Sequence, residues 1–90
     1  MVDVHSQILG MTGSLSLARN PKYSESERNE ALVYAHMHAC QAAVSVDVAG
    51  ERSRYLFRLD DYKHEIKACI IQIMNGTTLD DALKQLPAWS

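Results

Sequence analysis

The chain has 90 residues and 10.1 kDa, and by the usual size relation that is one domain, residues 1–90. Hydrophobic residues at 47% against charged residues at 22% are the balance of a folded chain rather than a disordered one. Nine Lys and Arg against eleven Asp and Glu leave a net charge of −2, which argues against a strongly basic nucleic-acid binder. Two cysteines are too few for a disulfide scaffold. The opening Met1-Val2-Asp3-Val4-His5 lacks the pattern of a signal peptide, and no apolar run approaches bilayer length. A cytoplasmic protein is the expectation, with no membrane contact and no cofactor.

Residues 1–23 are the least patterned. Ile8, Leu9, Met11, Leu15 and Leu17 are interrupted by Gly10, Gly13 and serines, and Pro21 forbids a helix interior there. One or two short helical turns laid against the rest are expected. Ser24-Glu25-Ser26-Glu27 then has the spacing of a reciprocal N-cap, and acidic residues crowd the following turn. A helix over about 25–48 follows, towards Gly50. At about 100° per residue, Glu27, Glu30, Tyr34, His38, Gln41 and Ser45 fall in one polar arc. The remaining apolar arc is too wide for one neighbour, so this helix is expected at the centre of the fold.

The segment 51–75 reads as a second, antiparallel helix. Tyr55, Leu59, Tyr62, Ile66, Cys69, Ile70 and Ile73 form one seam, while Phe57 and Ile71 lie off it. Asn75-Gly76 marks its end. A short helix over 78–86 follows, capped by Thr78 and closed by Pro87, with Trp89 tucked in after it. The fold class is therefore all-α, a helical hairpin with short N-terminal turns and a C-terminal helix. An α+β alternative places a β-hairpin at about 43–59, because Val44, Val46 and Val48 alternate with polar residues and Asp47 and Gly50 suit a turn. The helical reading is preferred because Tyr55 and Leu59 stay in phase with Ile66, Ile70 and Ile73.

His36 and Cys40 lie one helical turn apart, the spacing of two metal ligands. In a hairpin bent at Gly50, positions on the two arms are level when their numbers sum to about 100. That sets His36 level with His64 and Cys40 with Asp60. The helical wheel turns His64 away from the seam, however, so a core-facing His36 without metal is expected. Cys69 falls level with about residue 31, roughly 14 Å along the axis from Cys40. A bridge needs Cα atoms within about 7 Å, so two free thiols are expected.

No serine sits in a nucleophile elbow, and Asp60-Asp61 and Asp80-Asp81 stand at helix starts as caps. The chain is read as non-enzymatic. Arg52, Arg54, Arg58, Lys63 and Lys67 form a basic strip, but Glu51, Asp60, Asp61 and Glu65 are interleaved with it. What remains is surplus apolar surface and a strip of small residues, Ala35, Ala39, Ala42 and Ala43, on which another helix can sit closely. The expectation is a small protein-binding regulator acting as a homodimer. It would inhibit or adapt a larger complex, as small proteins encoded by phages or mobile elements can. Tyr34, His38, Arg54, Phe57 and Arg58 are the expected partner contacts. The alternative is a dimeric nucleic-acid-binding regulator using the strip from Arg52 to Lys67.

Overall fold

The cap read from the sequence is built as expected. In the computed structural model the backbone N–H of Glu27 donates to Ser24 Oγ at 3.2 Å, and the N–H of Ser24 donates to Glu27 Oε1 at 3.3 Å. The structure describes residues 4–48 and 54–89, with side chains described for 4–44 and 58–89. It comprises α1 (Val4–Ala18), α2 (Glu25–Val48), α3 (Arg54–Met74) and α4 (Leu79–Lys84). Helix is the only regular structure among the described residues. The bend at 49–53, including the expected turn at Gly50, lies outside them.

α2 is the central helix and packs against both α1 and α3, while α3 also packs against α4. Its buried face is Ala31, Leu32, Ala35, Ala39, Ala42 and Ala43. Alanines on that face hold the neighbouring backbones close. From α3, Leu59, Tyr62, Ile66 and Cys69 are buried, the seam expected from their spacing. The β-hairpin alternative at 43–59 is overturned for the described residues, since Val44–Val48 and Arg54–Leu59 are helical. Helical phase shared with the rest of each segment outweighs the short alternation of valines.

The N-terminal segment also departs from expectation. It is not one or two turns but a helix of 15 residues. Val4, Ile8, Met11, Leu15 and Ala18 recur at steps of four and three, and Met11, Leu15 and Ala18 are fully or almost fully buried. Burial of that face against α2 overrides the two glycines. The Arg28 side chain closes the end of α1 by donating from Nε to the Ala18 carbonyl at 2.8 Å. The same side chain reaches Asp80 Oδ1 at 2.6 Å, so α2 also holds the first turn of α4.

α3 ends in a Schellman motif. Gly76 takes φ +104°, the Thr77 N–H donates to the Gln72 carbonyl at 2.9 Å, and the Gly76 N–H to Ile73 at 3.1 Å. Thr78 caps α4, its Oγ1 accepting from the Asp81 N–H at 3.2 Å. α4 stops at Lys84, slightly short of the expected Leu86, but Leu79, Ala82, Leu83 and Leu86 are all buried. Beyond it Trp89 meets Tyr62 edge-on with centroids 5.3 Å apart, and Tyr62 donates its hydroxyl proton to the Pro87 carbonyl at 2.7 Å.

Candidate interaction surface

Among the described side chains, the residues expected to contact a partner are not gathered into one patch. Tyr34 is exposed on α2, as its place in the polar arc implies. His38 is half-buried between α1 and α2, with Nδ1 2.7 Å from Gln7 Oε1. Its ring lies over Gly10, so close that a Cβ there would meet it at 2.9 Å. Arg58 holds its guanidinium over the Trp89 ring, 4.7 Å from the centroid. Arg54 and Phe57 lie on the first turn of α3, and their side chains are outside the described residues.

The His36–Cys40 pair is formed, with Sγ 3.8 Å from Nε2. Among the described residues no three His, Cys, Asp or Glu side chains gather around a common point. Burial lowers the His36 pKa, and the charges of Lys67, Lys63 and His64 lower it further. His64, expected level with His36, is the smallest of these influences, after Lys67 and Lys63 of the same helix. Lys63 also pairs with Asp60 at 2.9 Å; this hydrogen bond raises the Lys63 pKa and lowers that of Asp60. Cys40 is half-buried and Cys69 buried, and both are free; burial pushes the Cys69 thiol up.

A feature missed in the sequence emerges from these positions. Once α1 and α3 have covered the alanine face, Val33, Met37 and Val44 remain 54%, 41% and 62% exposed. With half-buried Cys40 they occupy steps of four, three and four, a straight stripe along α2. The spacing is visible in the sequence. It is masked there because the alanines make nearly the whole helix look apolar, so no single stripe stands out. On α3, Ile71 and Met74 are 46% and 79% exposed, which leaves Ile71 off the seam as expected.

Glu30, three residues before Val33, continues the line of the stripe, with Tyr34 on one side of it and His36 on the other. Among the described residues no helix is long and apolar enough to cross a membrane. Compared with protein-family models, with curated proteins and with solved structures, the chain finds no match in any of the three.

Proposed function

We propose that the chain is a small, non-enzymatic protein-binding regulator, an inhibitor or adaptor of a larger complex, that works as a cytoplasmic homodimer. The observation that supports this most is the apolar stripe of Val33, Met37 and Val44, held open to solvent on the central helix. Scattered apolar residues are ordinary on a surface, but a continuous helical stripe is the form in which one helix receives another. The two free thiols fit a reducing compartment. Tyr34, Arg54 and Phe57 are proposed as contacts to the regulated partner. Arg58 and His38 contribute through Trp89 and α1 rather than as free contacts.

The basic strip gives less support to nucleic-acid binding. Arg58 is engaged with Trp89 and Lys63 with Asp60, so the positive charges are partly spent within the chain. The test is Val33→Glu/Val44→Glu, which places two carboxylates on the exposed stripe while leaving the buried face intact. Circular dichroism is expected to stay unchanged while self-association is lost in sedimentation. Undiminished self-association in this variant contradicts the assignment of the stripe as the dimer surface.

A further inference from the structure

The C-terminal residues follow α3 back along its length. The Cys69 thiol donates to the Ala82 carbonyl at 3.2 Å and the Tyr62 hydroxyl to the Pro87 carbonyl at 2.7 Å. Arg58 then lies over the Trp89 ring, 4.7 Å from its centroid. Cys69, Tyr62 and Arg58 share one face of α3, at steps of seven and four, and their partners come in the opposite chain order. Two extended residues span about 6–7 Å and four helical residues about 6 Å, so an extended Pro87–Trp89 keeps pace with the helix. α1 supplies the other wall. Arg19, the residue after that helix, donates from Nη2 to the Leu86 carbonyl at 3.1 Å. Trp89 packs with Val4 and Ile8 on the cluster of Ala42, Ala43 and Leu59. α1 and α3 both pack chiefly on α2, and the segment fills the furrow between them.

A groove holds a foreign peptide in this same way. Two successive carbonyls accept from groove side chains, and an aromatic ring enters an apolar seat floored by alanines. The side chains of Pro87 and Ala88 stay exposed, so the grip falls on the carbonyls and the ring. Lifting residues 87–89 leaves the cap and the hydrogen bonds of α4 in place. We propose that this furrow is a peptide-recognition site, closed in cis by residues 87–89. The regulated partner enters it with an extended segment that carries an aromatic residue two positions after a proline. This inference rests on the protein-binding reading above and not on the dimer stripe. Trp89 is the internal competitor, and Arg58 and Tyr62 receive the partner's ring in its place. Arg58 stands one turn from Arg54, so the segment ends where the proposed contacts of α3 begin.

The probe is a fluorescein-labelled peptide with the sequence of residues 84–90, followed by anisotropy. It is expected to bind Trp89→Ala about tenfold more tightly than the wild type, in which the tethered tail competes. Trp89→Phe, which keeps a ring in the seat, is expected to fall between the two. Adding Tyr62→Phe to Trp89→Ala removes the donor to the proline carbonyl and is expected to weaken the peptide about three- to tenfold. A peptide with Ala in place of its Trp is expected not to bind. The chain has one tryptophan, so displacement is also visible in the wild type. Excess peptide with Phe in place of Trp is expected to shift the Trp89 emission to the red.

Binding to folded Trp89→Ala and Trp89→Phe no tighter than to the wild type overturns the inference. So does binding indifferent to Tyr62→Phe, which places the peptide elsewhere. If circular dichroism shows both Trp89 variants unfolded, Trp89 is a core residue rather than a displaceable one, which overturns it as well. Each of these results leaves the homodimer reading to the sedimentation of Val33→Glu/Val44→Glu, and a monomer there leaves the furrow standing.

Discussion

His36 shows how one side chain records its surroundings. Its pKa is lowered by burial first and then by Lys67, Lys63 and His64, so the folded chain resists a proton that the unfolded chain accepts. The contribution to stability is therefore full above the ordinary histidine value of about 6.5. It declines as pH falls through that value, until the folded-state imidazole is protonated as well. Urea midpoints measured between pH 7.5 and 5 are expected to fall on acidification, and less steeply in His36→Gln. The two cysteines differ in the same local way. A maleimide is expected to reach buried Cys69 only after unfolding, and to modify half-buried Cys40 in the folded protein only where the stripe is uncovered, as mass spectrometry of labelled peptides would show. Equal labelling of both thiols under native conditions would contradict the burial of Cys69.

The glycines of α1 separate backbone preference from packing. A Cβ at Gly13 meets nothing within 4 Å, so Gly13→Ala is expected to stabilise the protein by about 0.5–1 kcal/mol. At Gly10 the same Cβ would press on the His38 ring and displace it from Gln7. Gly10→Ala is expected to lower the thermal midpoint, and His38→Ala to recover the lost gain when combined with it. Arg28 binds three helices together through the Ala18 carbonyl and Asp80. Asp80 is largely exposed, so most of the effect of Arg28→Ala comes from the carbonyl bond and the packing of the stem. A loss of about 1–3 kcal/mol in chemical denaturation is expected. These contacts also show where sequence reasoning reaches. The Ser24 and Thr78 caps and the end at Gly76 follow local rules, and all were legible. The length of α1 was not, because two glycines lower helix preference within the segment while the compensation comes from a distant alanine face. His38 looked like a free polar contact for the same reason, since only the docking of α1 covers it.

In the assembled molecule the alanine face and the apolar surplus prove to be separate surfaces. α1 and α3 consume the first, and Val33, Met37 and Val44 constitute what is left. The homodimer proposal concerns that remainder. Light scattering over a concentration series at two salt levels tests it most directly. The expected result is a mass twice the 10.1 kDa of the chain, persisting at high salt because the seam is apolar. A mass of one chain at all concentrations would contradict it.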